Sequence, residues 1–360
     1  MSDTLIRTPL YDEHVALGAR MVDFAGFEMP VQYGGILEEH LATRESVGIF
    51  DVSHMAEFRI SGEGAFDFLN TMLSNEVNKI VDIGAAQYTL LLNDAGCIID
   101  DLIVYNTGLE FLIISNASNR FQDWNWLYEH KPDNVEMFDE TDRTGLIAVQ
   151  GPKALGVLKQ IFGPSWEPPH RFHIEPATID GKIDVLVART GYTGEDGVEI
   201  IVHKDDVVAL WRMLLSFPEV SPVGLGARDT LRLEMGYSLY GSDMDITRDP
   251  ISAGLGWACP KSKEGYTGCE ALKAIRETGP SVRLVHLLVE NGIPRHGYSV
   301  LHEGKEIGTV GSGSHSPSLG KGMATAYVPA EFAEPGTELE IQIRKRTVSA
   351  TVVKPPFLVK

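Results

Sequence analysis

The chain has 360 residues, 43% of them apolar and 22% charged, with a formal net charge of −19. That length exceeds one ordinary core and suggests several domains, while the composition excludes a disordered chain. The acidity excludes the broad phosphate-binding surface that nucleic acids need, leaving room for a small anion held by one or two arginines. No run approaches the roughly 20 apolar residues of a membrane span. The start, MSDTLIRTPLYDEH, has no apolar stretch of signal-peptide length, and Cys97, Cys259 and Cys269 show neither C-x-x-C nor metal spacing. A cytoplasmic protein without membrane or nucleic-acid partners and without a metal site is expected.

In chain order, a helix is predicted over 36–46, a strand at FRISG (58–62) and a second helix over 64–74. QYTLLL, CIIDDLIVY and EFLIISN follow as short strands joined by turns, then LIAVQ and a helix over 152–162 with Pro152 in its first turn. DVLVART and VEIIV are strands around a glycine-rich turn. Helices over 205–216, with Asp205 as cap, over 226–239 and over 268–277 complete this region. Such short, half-apolar, turn-linked strands favour antiparallel sheets, so the class is α+β. Gly279 and Pro280 in residues 277–281 mark a boundary between a region 1–277 and an all-β module over 282–360. There RLVHLLV, YSVLHEG, KEIGTVGSG, GMATAYV, TELEIQIR and TVSATVV read as barrel or sandwich strands.

Three constellations carry polar groups where apolar ones would be expected. Asp100 and Asp101 stand inside CIIDDLIVY, and strand alternation turns them to opposite faces. One of them is then either a hydrogen-bonded structural carboxylate or a site residue in a partly dry place, and the pattern leaves both readings open. RTGYTGEDGVEI is a hairpin whose returning strand is interrupted by Glu199, a carboxylate able to accept two parallel hydrogen bonds from a flat donor pair. GLGARDTLRLE places Arg228 and Arg232 one helical turn apart. Arg232 is expected to pair with a near acid such as Asp229 or Glu234, and Arg228 either does the same or meets an anionic or carbonyl-bearing ligand. His54 in FDVSHM reads as a hydrogen-bonded structural residue. GTVGSGSHSPSLGKG (308–322) lacks the ending of a phosphate loop and reads as barrel turns. Tyr88, Tyr105, Tyr192, Tyr240 and Trp257 suit either core packing or the stacking of a heteroaromatic ligand.

Together these segments resemble the aminomethyltransferase, or T-protein, family of the glycine cleavage system. The resemblance runs through RTPLYDEHVALGARMVDFAGFEMPVQY, FDVSHM, NDAGCIIDDLIVY, AVQGP, RTGYTGEDG, GLGARDTLRLE, LYGSDMD, SHSPSLGKGMA and VVKPPF, in order and at family spacing. It implies a three-domain cloverleaf, with two interwoven antiparallel α+β domains around a central folate cavity and a C-terminal β-barrel domain. It implies transfer of the methylene carbon from the aminomethyl-lipoyl arm of H-protein to tetrahydrofolate, with release of ammonia. Carried over by position, the second aspartate of the pair, Asp101, is catalytic and Asp100 is structural. Met55, Tyr88, Tyr105, Asn116, Tyr192, Glu199 and Arg228 contact folate, and Tyr240 and Trp257 line its cavity.

Three departures stand out: Cys97 where the family often has glycine, His315 in place of an aromatic, and Phe27 where tryptophan is common. The alternatives are a related folate-dependent demethylase and a non-catalytic folate-binding scaffold for iron–sulfur assembly. The second carries K-G-C-Y-x-G-Q-E, which EGYTGCEAL here does not reproduce. Residues 341–360 hold Arg344, Lys345, Arg346, Lys354 and Lys360 and no acid. That suggests either electrostatic steering of an acidic carrier or a solvated barrel edge.

Overall fold

The structure, a computed structural model, describes residues 5–359. The chain divides into two compact units. One holds the chain up to Leu69 with Val77–Tyr88 and Leu102–Asp229; the other holds Asn70–Glu76, Thr89–Asp101 and the chain from Thr230 onward.

In the first unit a six-stranded sheet has the order Ile174–Ile179, Ile183–Ala188, Gly197–His203, Thr144–Gln150, Val47–Asp51, Val220–Pro222. Its pairs are antiparallel except the last, where Val220 lies opposite Val47 in a parallel ladder. Alternation decides which side chains go inside. Val198, Ile200 and Val202 join a core built with Leu158 of helix Ala154–Phe162 and Leu210 and Trp211 of helix Val207–Leu215. Glu199 therefore projects from the other face of that sheet. A second sheet runs Ala86–Leu92, Ile98–Asn106, Phe111–Ser115, Ala56–Ser61, Glu136–Asp139, and its first two strands begin or end in the second unit. A hairpin, Arg20–Phe24 with Phe27–Gln32, completes the first unit's β-structure among the described residues.

The second unit contains a closed six-stranded barrel in the order Val282–Val289, Lys321–Pro329, Lys305–Ser316, Ser299–His302, Glu338–Ile343, Arg346–Val353. Val285, Leu287, Ala326, Val328 and Ile341 fill its interior. Closure removes the exposed edges that six short strands would otherwise present. Segments distant in sequence join this unit: Ser74 N–H donates to Leu90 O at 2.9 Å and Ile98 N–H to Arg248 O at 2.9 Å.

Several expectations need correction. The helix expected over 226–239 spans only Leu225–Glu234, because Gly236 takes φ +71° and turns the chain out of the helix. Helix Val207–Leu215 has Asp206, not Asp205, at its N-cap, and no side chain caps it. Pro152 precedes helix Ala154–Phe162 rather than lying in its first turn. Much of 308–322 is strand, not turn. Gly311 serves close approach there, since a Cβ would lie 2.6 Å from Ser242 O. Helix Arg120–His130 and the N-terminal hairpin are unforeseen; the helix buries only Asp123 and Leu127, too little for a clear period. No helix of the described residues is long and apolar enough to cross a membrane.

Candidate ligand site and its supports

The glycine-rich turn between Ile183–Ala188 and Gly197–His203 is held from three sides. Gln150, 1% exposed, donates from Nε2 to Thr190 O (3.2 Å) and Val198 O (3.1 Å) and accepts from Thr193 Oγ1 at 2.9 Å. Gly191 is obligatory against it: a Cβ would collide with Gln150 Oε1, on an amide too well bonded to move. Arg44 donates to Thr193 O (2.7 Å) and Glu195 (2.8 Å), and Arg189 makes a forked pair with Asp196 at 3.0–3.3 Å. So fixed, the turn presents Thr190 and Tyr192 on a rigid support.

Thr190 links two of the predicted residues. Its Oγ1 donates to Glu199 Oε2 at 2.5 Å and lies 3.0 Å from the hydroxyl of Tyr105, which is 1% exposed. Burial, followed by the Glu199 charge, pushes the Tyr105 phenol well above its usual value, so it stays a neutral hydrogen-bonding group. Glu199 is half-buried and faces away from the core. The Arg228 guanidinium lies 4.9 Å from the centre of the Tyr192 ring, in cation–π range. Burial lowers the Arg228 pKa, while Glu199 and Tyr192 act against that. Its Nη1 is buried with no hydrogen-bond partner. One carboxylate acceptor, one partly unpaired guanidinium and two phenols thus share this unit.

Arg228 owes its position to Glu39, a residue with no distinguishing signal in the sequence. Glu39, 5% exposed, accepts from the backbone N–H groups of Tyr33 (2.6 Å), Gly34 (3.1 Å) and Gly35 (3.2 Å) through Oε1, and of Gly224 (2.8 Å) through Oε2. It therefore clamps the start of the Arg228 helix. A second buried network joins Asp51 to His14 Nε2 (2.9 Å), Thr8 Oγ1 (2.6 Å) and Ser53 N–H (2.9 Å), and His14 Nδ1 to Tyr33 Oη (2.9 Å). Of these, only Asp51 carried a sequence signal, a carboxylate closing the apolar run Val47–Asp51; Glu39, Thr8 and His14 lie among other polar residues.

Of the other predicted residues in the first unit, Met55, Tyr88 and Asn116 are half-buried. Tyr88 lies on a strand neighbouring the one that carries Tyr105, and Asn116 immediately follows strand Phe111–Ser115. Asp101, Tyr240 and Trp257 belong to the second unit. There Asp100 is fully buried and Asp101 half-buried, as alternation requires of adjacent strand residues. Trp257 is 62% exposed, and Tyr240 makes a bridge with Met244. Cys97 is half-buried in its turn, with its thiol pushed up by burial and then by Asp249 and Asp245. Arg232 pairs with Asp243 at 2.8 Å rather than with Asp229 or Glu234, while Glu234 accepts from Ser316 (2.5 Å) and Ser318 (2.9 Å). Among the described residues no cluster of His, Cys, Asp or Glu has the makings of a metal site.

The family model described as GCVT N-terminal domain matches residues 10–263, and that of the glycine cleavage T-protein C-terminal barrel domain matches 283–358. The chain is 44% identical to an aminomethyltransferase of Bdellovibrio bacteriovorus, covering 98% of this chain and 99% of the relative. It is 45% identical to one from Chloroherpeton thalassium at the same coverage. The crystal structure of the glycine cleavage system aminomethyltransferase T from Bartonella henselae superposes with a TM-score of 0.92 at 34% identity, covering 98% of each chain.

Proposed function

As the chain belongs to the glycine cleavage T-protein family, the aminomethyltransferases, we propose that it transfers a one-carbon unit from a lipoyl-bound aminomethyl group to tetrahydrofolate. In this reaction the carbon–sulfur and carbon–nitrogen bonds of the aminomethyl group break, and two new bonds join the methylene carbon to folate N5 and N10. The two folate N–H protons pass to the departing sulfur and nitrogen, so dihydrolipoyl thiol and ammonia leave.

The observation that carries the reading is Glu199. A half-buried strand carboxylate held by Thr190 is a suitable acceptor for the 2-amino and N3–H donor pair of a pterin. Tyr105, Tyr192, Met55, Tyr88 and Asn116 are assigned to the same ligand, and Arg228 supplies a donor for one of its oxygens. Asp101 is assigned the catalytic role, with Tyr240 and Trp257 as further cavity residues. A carboxylate acceptor orients the attacking amine and favours positive, iminium-like character on the transferred carbon.

For the carrier, the barrel offers a cavity of about 630 Å³ lined by Arg295, Arg344, Lys345 and Arg346 with Ile293, Tyr298 and Ile343. Four cations and no acid in that lining, on a chain of net charge −19, suit an acidic face of lipoylated H-protein. Lys354 is exposed but is not among these lining residues, and Lys360 lies outside the described residues.

The test is to supply aminomethylated H-protein and tetrahydrofolate and to measure ammonia and methylenetetrahydrofolate, with Asp101→Asn beside the wild type. Both products are expected from the wild type and neither at a comparable rate from the variant. No product from the wild type refutes the reaction, and full activity of Asp101→Asn refutes the role given to that residue.

A further inference from the structure

His54 is a buried polar residue of the first unit whose chemistry the proposed function leaves unused. It sits just beyond strand Val47–Asp51 and is 2% exposed. The sequence suggests a hydrogen-bonded structural histidine, yet its Nδ1 is buried with no partner. Leaving such an atom unpaired costs about 1–3 kcal/mol, so it invites an explanation.

Two elements of the first unit place this ring, which follows strand Val47–Asp51 and packs against the N-terminal hairpin, and both elements are tied to the start of the Arg228 helix. Hairpin residues Phe24 and Phe27 hold it by aromatic contacts, at centroid distances of 5.5 Å and 6.2 Å. The same hairpin abuts the start of the Arg228 helix, where a Cβ on Gly224 would come within 2.5 Å of the Val31 backbone. The strand leading to His54 is tied to that helix start through Val223 N–H to Ile49 O at 2.9 Å. Burial pushes the imidazole down to about 4; Asp51 opposes this and Arg228 adds to it. The ring is therefore neutral at working pH, and Arg228 brings the only positive charge of the pair.

We propose that His54 is a second ligand-holding residue beside Arg228. Its Nδ1–H and the unpaired Nη1 of Arg228 are two donors for a carbonyl or carboxylate oxygen of the bound ligand. This rests on the folate reading above. It also gives Phe27 a purpose: a ring that sets the orientation of the imidazole. If His54 merely filled space between Phe24 and Phe27, an aromatic ring without nitrogen would serve as well.

The experiment measures tetrahydrofolate affinity by titration of the full-length chain, alongside thermal unfolding, for the wild type, H54F and H54N. Asparagine sets its amide nitrogen close to the place of Nδ1, whereas glutamine reaches the place of Nε2. H54F is expected to weaken binding about tenfold, the worth of one buried hydrogen bond, with H54N recovering most of it. Wild-type affinity in H54F, or equal losses in H54F and H54N, overturns the proposal. Should H54F fold poorly, H54N against H54Q decides: tighter binding by H54N supports the donor at Nδ1, and equal affinity overturns it. Absence of binding by the wild type overturns the folate reading and this inference with it, whereas wild-type binding unchanged in H54F overturns this inference alone.

Discussion

Glu57 provides the sharpest thermodynamic test, through Glu57→Gln. It lies in strand Ala56–Ser61 with 3% exposure. Burial raises its carboxyl from 4.5 to about 8; Thr144 and Arg59 counter this, and the charges of Glu140 and Asp139 add to it. Arg59 is meanwhile engaged by Glu110. At pH 7 the folded chain therefore holds Glu57 protonated, whereas the unfolded chain ionises it. Because the folded value is raised, the associated stability is fully present below pH 4.5 and is lost as the pH climbs through about 8. At about 1.4 kcal/mol per pH unit, the ceiling is ~3 kcal/mol by pH 7 and ~5 kcal/mol above pH 8. Local relaxation reduces both. A glutamine side chain has the same shape and does not titrate, so the stability of Glu57→Gln relative to wild type should rise between pH 5 and 8 and level off near pH 9. Denaturant unfolding of both proteins, followed by tryptophan fluorescence at one-unit pH steps, reads this directly. A difference that stays flat across the window, or falls with pH, refutes the reasoning.

Other expectations concern the site and its supports. Glu199→Gln should weaken tetrahydrofolate binding on the order of tenfold or more, because an amide cannot accept two parallel hydrogen bonds; titration checks it. Glu39→Gln should cost about 2–3 kcal/mol in denaturant unfolding, since the carboxylate serves four backbone donors. It should also lower ligand affinity by loosening the start of the Arg228 helix. Arg232→Met leaves buried Asp243 without its cation, and a loss of about 3 kcal/mol or more is expected, measured the same way. Reversing charge at Arg344 and Arg346 should raise the KM for H-protein and steepen at low salt, with tetrahydrofolate affinity unchanged. An unaltered H-protein titration would leave that cationic lining as a solvated barrel edge.

Periodicity and turn chemistry were enough to reveal the barrel strands and the two helices on the six-stranded sheet, because each has one clearly apolar face. They failed where burial is not periodic. Helix Arg120–His130 has too few inward apolar residues, and the glycines of Lys305–Ser316 looked like turns although they admit neighbouring backbone. The acid that pairs with Arg232 is neither Asp229 nor Glu234 of its own helix but Asp243, whose partners Ser312 and Thr325 come from the barrel.

By itself, the sequence determined the α+β class, the antiparallel preference and, through its ordered motifs, the family. It also showed that Asp100 and Asp101 face opposite ways, because alternation is a property of any extended chain. Tertiary structure decided which polar groups meet and which stay unpaired: Thr190 between Tyr105 and Glu199, Gln150 under the glycine turn, Glu39 on Gly224, and the bare nitrogens of His54 and Arg228. Those partners lie up to 185 residues apart in the chain. A hydrogen bond acts over about 3 Å of space and is indifferent to sequence separation, so only the folded chain fixes it.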